Sequence, residues 1–330
     1  MDLFRRLFSQ PEPETDDAEA KQAIETQTRP AVVDIPSGSE ETVVPEEGDT
    51  NETEPVLADG ATRPLPLESV ISNKNEHIKF GQSTDVGMVR NNNQDAVLSF
   101  FFTSRSSDDQ PDFGLFIVAD GMGGHHDGEK ASAMTARTLA AYVTSNIYLP
   151  LLNRNDDDRP PMTEILVEAV QKANVDVINR VPEGGTTLTA VAIIGDLAHI
   201  VHVGDSRVYL ITKDGQEQVT RDHSLVQRLI ELDQLTTEEA ADHPQKNVLY
   251  RAIGQSESLE VDAITRRLPP NSRLLLCSDG LWNQVADKEL GEVVMSHENP
   301  QEACDKLVAL ANARGGTDNI TTILLQIPSN

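Results

Sequence analysis

Four aspartates sit at the edges of apolar runs of strand length. Asp120 ends LFIVAD, Asp205 follows IVHVG, Asp279 follows LLLCS, and Asp318 immediately precedes NITTILLQI. If those strands lie side by side with the ends facing one way, the carboxylates gather, and like charges in a partly buried site cannot all stay ionised. A divalent cation removes the conflict. Hard oxygen donors with no supporting cysteine pair favour Mg2+ or Mn2+ over zinc. Two such ions sharing a carboxylate would lower the pKa of a water between them and present it for in-line attack on phosphorus. The non-bridging phosphate oxygens then need a cation, which a bidentate arginine supplies best. Arg90 in STDVGMVRNNNQDAV, with Asp95 five residues later, offers that arginine and a fifth carboxylate. The reaction class is phosphate ester hydrolysis.

Asp-Gly is also the ordinary hairpin turn pair. Asp214-Gly215, which lies between a strand and QEQVT, is read as a turn alone. The other aspartates stand apart by their number and by the flanks GMGGH, SR, LW and NI, which a hairpin does not require. GMGGH as a nucleotide loop lacks both the phosphate-loop lysine and the GxGxxG spacing.

The elements that must position these residues follow from periodicity. GLFIVAD (Gly114–Asp120) is a strand. Gly128–Asn146 is a helix with Ala131, Met134, Thr138, Leu139 and Tyr142 near helical spacing, and Met162–Val181 is a second, with a stripe of Ile165, Leu166, Ala169, Val170, Ala173 and Val177. Thr187–Thr220 alternates across turn signals at Gly195-Asp196 and Asp214-Gly215, as a hairpin meander does. Leu274–Gly280 and Asn319–Ile327 are further strands, with two helices between them, the second ending near Arg314 ahead of Gly315-Gly316. Thr220 to about Gly254 is polar and irregular, an inserted flap with a capping-box helix start at Thr236-Thr237-Glu238-Glu239. This flap is the expected site of substrate selection. Hairpin-joined strands and paired helices predict an α+β sandwich and not a doubly wound parallel sheet.

Composition narrows the partners. Of 330 residues 38% are hydrophobic, enough for one large core, and a net charge of −27 excludes an electrostatic grip on nucleic acid or an anionic membrane. Cys277 and Cys304 are too few and too embedded for a disulfide framework or a thiolate zinc site. No secretion signal and no membrane-spanning run is read, so the expected location is cytoplasmic. Between Pro11 and Thr62, 15 acids face 2 bases. Such a stretch cannot bury enough apolar surface to offset its ordering entropy. The expected organisation is a disordered acidic tail over 1–76, with a short amphipathic start MDLFRRLF, and a folded domain over 77–330 with the flap at about 221–254.

Read in order, TDVGMVRNNNQDA, VADGMGGHHDGEKAS, GGTTLTA, HVGDSRVYL, VTRDHSLVQRL, HPQKNVLYRAIG, LLLCSDGLW and GGTDNITTILL resemble the metal-dependent serine/threonine phosphatases of the PPM family, the 2C class, in its bacterial form. The resemblance covers nearly all of residues 80–327. It implies a central antiparallel β-sandwich flanked by helix pairs, a four-layer αββα fold. It also implies two or three Mn2+ or Mg2+ ions, with Asp120 (bridging), Asp279 and Asp318 as core ligands. Gly121 would add a backbone carbonyl, Asp95 a ligand through water, and Asp205 a weaker third metal shared with Asp279. Arg90 matches the phosphate-binding arginine. The implied activity is hydrolysis of phosphoserine and phosphothreonine in phosphorylated proteins by a monomer, opposing a serine/threonine kinase. The alternative is a catalytically weak phosphoprotein-binding scaffold of the same fold.

Many eukaryotic members carry a histidine, the proposed general acid, where this chain has Met122, which cannot donate a proton. That role stays open between a metal-bound water and His125 or His126. The same two histidines also read as plain loop or helix-start residues. His223 is ambiguous, and Asp222 is either a partner beside the site or the cap of the helix begun by SLVQRLIEL. Thr186 and Thr187 are expected to hydrogen-bond at the base of a strand, and Trp282 to pack beside the site.

Overall fold

The computed structural model describes residues 77–103, 112–124, 126–153 and 160–329. The expected acidic tail, its MDLFRRLF start and His125 lie outside the described residues. In chain order come β1 (Lys79–Asp85), β2 (Asp95–Phe102), β3 (Phe113–Gly123), α1 (Asp127–Val143) and, after a π-helical turn, α2 (Leu149–Leu152) and α3 (Met162–Arg180). Next are β4 (Gly184–Thr186), β5 (Leu188–Ile194), β6 (Leu197–Val203), β7 (Arg207–Thr212), β8 (Gly215–Gln218), α4 (Leu225–Glu231) and α5 (Thr237–Ala241). The chain closes with β9 (Asp262–Arg267), β10 (Arg273–Cys277), α6 (Asp279–Trp282), α7 (Asp287–Ser296), α8 (Pro300–Ala313) and β11 (Ile320–Gln326).

Every strand pair is antiparallel, in one sheet ordered β1-β11-β10-β7-β8 and another ordered β2-β3-β5-β6-β9, with β4 on β3. Side chains of a strand alternate between its two faces, and the central strands show where each face goes. In β3, Phe116 and Val118 join the core between the sheets with Leu274, Leu276, Ile323 and Leu325. Leu115 and Ile117 face α1 and α3. In β10, Leu275 and Cys277 face α7 and α8. Both faces being covered, these strands read as continuous apolar runs although they pair antiparallel. The architecture is the expected α+β sandwich in four layers, helices outside and sheets within.

Three local expectations change. The strand ending at Asp120 runs on to Gly123, because Gly121–Gly123 pair with β4. β1 and β9 were not anticipated: KFGQSTD and DAITRR are short and largely polar, as suits edge strands. In α1 the buried face is Ala131, Ser132, Thr135, Ala136, Leu139, Ala140 and Val143. The helix start lies so close to β3 that a Cβ on Gly121 would come within 2.3 Å of the Gly128 carbonyl. Small residues therefore take that face near the helix start, with Leu139 and Val143 buried farther along. Met134, Thr138 and Tyr142 turn aside and are only half-buried; Thr138 and Tyr142 reach Asp176 and Glu168 of α3 at 3.3 and 2.9 Å. The predicted stripe of α3 is buried as expected, and Thr236 with Glu239 forms the capping box.

Candidate active site

The aspartates converge because β3, β10 and β11 end or begin at the same edge of the sandwich. Asp95 and Asp120 are directly opposite one another across β2 and β3. The backbone of Asp120 is held on both sides: its N–H donates to Thr187 Oγ1 at 3.0 Å, and its carbonyl accepts from Thr187 N–H and Thr186 Oγ1, each at 2.8 Å. The two threonines thus bond at the strand base, as their sequence position suggested. Gly121 donates to the Gln94 carbonyl at 3.1 Å.

Ser278 ties the two sheets together at the cluster. Its Oγ donates to Asp95 Oδ2 at 2.8 Å and accepts from the Thr321 N–H at 2.9 Å, immediately before Asp279 opens α6. Asp279 Oδ2 accepts from Asn283 at 3.3 Å. Asp318 Oδ2 accepts from Arg90 at 2.7 Å, and its Oδ1 from the Asn319 N–H at 2.9 Å. Asn319 Oδ1 accepts from Gln94 N–H at 2.8 Å, while its Nδ2 donates to the carbonyls of Val86 at 2.9 Å and Asn92 at 3.0 Å. This side chain holds the Arg90 loop against Asp318.

Asp205 lies in the turn between β6 and β7. Its carbonyl accepts from Trp282 Nε1 at 3.0 Å, and the Arg207 guanidinium stacks 3.7 Å from the centre of the Trp282 ring. Arg207 in turn forms a forked pair with Asp222, closest at 2.7 Å. Asp222 is therefore not the cap of α4; Ser224 is, accepting from Gln227 N–H. His223 faces Gly204, whose N–H donates to its Nδ1 at 3.1 Å, and Asp262 at 3.1 Å on Nε2. His126 is largely exposed, with Glu129 at 3.3 Å.

The electrostatics show the carboxylates sensing one another. Burial, then the charges of Asp95, Asp279, Asp205 and Asp318, hold the Asp120 carboxyl well above the usual range. Burial and then Asp205, Asp318 and Asp95 do the same for Asp279. Burial raises Asp95 to about 6, against the hydrogen bonds from Thr321 and Ser278 that lower it. Burial followed by Asp222 raises Asp205 to about 7. The one cation whose guanidinium reaches into this set in the described residues' hydrogen bonds is Arg90, raised first by its bond to Asp318, with Asp279 and Asp120 also contributing. Buried oxygens Asp95 Oδ1 and Asp279 Oδ1 have no hydrogen-bond partner. Among the described residues no three such side chains are already drawn around one point, Asp318 being turned to Arg90. The fit to a divalent cation rests instead on the donor set, all oxygen and crowded, with Asp95, Asp120, Asp205 and Asp279 raised in pKa and two oxygens orphaned.

Ser278, Asn319 and Thr321 escaped the sequence reading. The available signal was adjacency, since Ser278 and Asn319 directly flank Asp279 and Asp318 in SDG and TDN.

The profile of the family described as Protein phosphatase 2C matches residues 89–314. The serine/threonine phosphatase stp of Listeria innocua is 37% identical over 252 residues, covering 76% of this chain and 95% of its own. The crystal structure of the Mycobacterium tuberculosis serine/threonine phosphatase PstP/Ppp superposes with a TM-score of 0.64 at 31% identity, covering 76% of this chain and 99% of that one. A structure of the PstP catalytic domain in complex with two manganese ions superposes with a TM-score of 0.61 at 31% identity, over 76% of this chain and 99% of that one. With this fold and this carboxylate edge, the chain belongs to the protein phosphatase 2C family of metal-dependent serine/threonine phosphatases.

Proposed function

We propose that Asp120, Asp279 and Asp318 hold two Mn2+ or Mg2+ ions, with the Gly121 carbonyl and, through water, Asp95 completing the set. Asp205 with Asp279 holds a third, weaker ion. The observation that carries this is the pair of buried oxygens without a partner, Asp95 Oδ1 and Asp279 Oδ1, on carboxyls whose raised pKa a bound cation would relieve. When bound, the ions supply an activated water and neutralise charge on the phosphate.

The chain's own residues do the rest. Arg90 exchanges Asp318 for the non-bridging oxygens of the phosphoresidue and fixes its orientation for in-line attack. Thr186 and Thr187 keep Asp120 in place, and Ser278 keeps Asp95 and Asp279 in mutual register. Met122 offers no proton to the leaving alkoxide, and His126 is turned to solvent and Glu129, which favours a water at the site over His126 as the donor; His125 lies outside the described residues. The substrates are phosphoserine and phosphothreonine proteins of the cytoplasm, acted on by a monomer that opposes a serine/threonine kinase.

Purified protein should release phosphate from a phosphothreonine peptide with Mn2+ or Mg2+ and stop with chelator. Asp279→Asn should lose more than about 100-fold in kcat, a few kcal/mol of charge stabilisation. Full activity in metal-free buffer would refute the assignment. Tight phosphopeptide binding without turnover would favour the scaffold alternative.

A further inference from the structure

The loop that brings Arg90 to the aspartates is held by its backbone. Met88 N–H donates to the Gly316 carbonyl at 2.7 Å, Gly87 N–H to Asp85 Oδ1 at 2.8 Å, and Asn319 Nδ2 to Val86 and Asn92. Gly87 has φ +80°, and a Cβ there would come within 2.2 Å of the Asp318 carbonyl. The loop therefore lies directly on the strand entry that carries Asp318. Met88 Cγ rests beside Gly316, two residues before that aspartate.

Pinned in this way, the loop points two consecutive apolar side chains outward. Met88 is 70% exposed and Val89 64%, the highest values for large apolar side chains among the described residues. A single exposed apolar residue is unremarkable in a soluble domain. Two in sequence, on a fixed backbone, immediately before the arginine that meets the phosphate, form a ledge at the rim of the site. Consecutive Cα atoms of a bound peptide are about 3.8 Å apart, so a residue next to the phosphoresidue falls within reach of that ledge.

We propose that Met88 and Val89 receive a bulky apolar side chain flanking the phosphoresidue, making the enzyme selective for phosphoproteins with apolar neighbours at the phosphorylated position. The inference rests on Arg90 holding the phosphate. Methionine's flexible thioether adapts to differently shaped partners, so the ledge sets a class and not one side chain. Acidic neighbours are disfavoured, because a carboxylate gains nothing on an apolar ledge and the chain's net charge of −27 repels it.

Three phosphothreonine peptides identical except for Leu, Gly or Glu at both flanking positions test this, with p-nitrophenyl phosphate as a substrate that has no flanks. Wild type should rank them Leu, Gly, Glu in kcat/KM. Met88→Ser with Val89→Ser should raise KM for the Leu peptide about ten-fold, the loss expected for exposing part of two apolar side chains. Its kcat, its KM for the Gly peptide and its turnover of p-nitrophenyl phosphate should stay unchanged, and Met88→Leu should keep the Leu preference. Equal kcat/KM for the Leu and Gly peptides in wild type, or a KM rise shared by both in the double variant, would overturn the proposal. Failure of wild type to turn over p-nitrophenyl phosphate with Mn2+ would overturn the catalytic reading beneath it, a result distinguishable from lost flank selectivity.

Discussion

Asn319 is the most economical place to disturb this site without touching a proposed ligand or the phosphate. It is 5% exposed and makes three side-chain hydrogen bonds, to Gln94 N–H and to the carbonyls of Val86 and Asn92, which together anchor the loop bearing Arg90. Asn319→Ala removes all three at once. At about 1 kcal/mol of net stabilisation each, the loss is about 3 kcal/mol. For a domain of this size that lowers Tm by about 6–12 °C. Urea unfolding should show a lower midpoint with an unchanged m-value. The freed loop also misplaces Arg90, and a displacement of about 1 Å in such a positioning group costs about 100-fold in kcat/KM. The two effects separate in a double-mutant cycle with Arg90→Ala. If Asn319 acts on catalysis through Arg90, the double variant loses little more activity than Arg90→Ala alone, while the stability loss from Asn319 persists. Additive losses in kcat/KM, or an Asn319→Ala variant with wild-type Tm, would refute the reasoning.

Two further outcomes follow from buried groups that are not themselves proposed metal ligands. His202 is fully buried between Thr189 Oγ1 and the Arg221 carbonyl, and burial, then the neighbouring His223, lowers its pKa to about 3. Unfolded, it takes up a proton near its ordinary value, so between about pH 6 and pH 4 the unfolded state binds the extra proton. Its contribution is complete above that window and falls with pH by about 1.4 kcal/mol per unit. His202→Gln should flatten the fall in urea midpoint across this range, and an unchanged slope would count against it. Asp222→Asn leaves Arg207, only 17% exposed, with its fork half-empty. Breaking such a pair costs about 3–5 kcal/mol, so the variant should unfold at clearly lower urea; a midpoint equal to wild type would show the pair to be dispensable.

The legibility of this site in the sequence was uneven for physical reasons. Asp120, Asp279 and Asp318 stood out because each interrupts a strand-length apolar run, and the cost of a carboxylate there demands an explanation. Arg90 and Asp95 lie in polar sequence, where spacing alone carries them. Ser278 and Thr321 were silent, because a serine or threonine in a buried strand end looks like any half-buried hydroxyl until its partner arrives from another strand. Asp222 shows the opposite failure. Its place before SLVQRL suits a helix cap, but Arg207 competes for the carboxylate and offers a charged fork, leaving the cap to Ser224. The face of α1 is only partly legible for a related reason: Ala131 and Leu139 are buried as expected, but the close approach of Gly121 and Gly128 favours small side chains at the helix start, and no periodicity reports that distance.

What the sequence determined by itself was the long helices and the central strands, the hairpins β5–β6 and β7–β8 at their short turns, the α+β layering and the carboxylates placed at strand edges, because all of these depend on local spacing and on the cost of burying charge. What only the tertiary structure decided was how residues far apart in the chain share one edge: Ser278 on Asp95, Asn319 across the Arg90 loop, Trp282 on Asp205 and the outward ledge of Met88 and Val89. Those contacts depend on the stacking of two sheets and on interatomic distances that no one-dimensional pattern encodes.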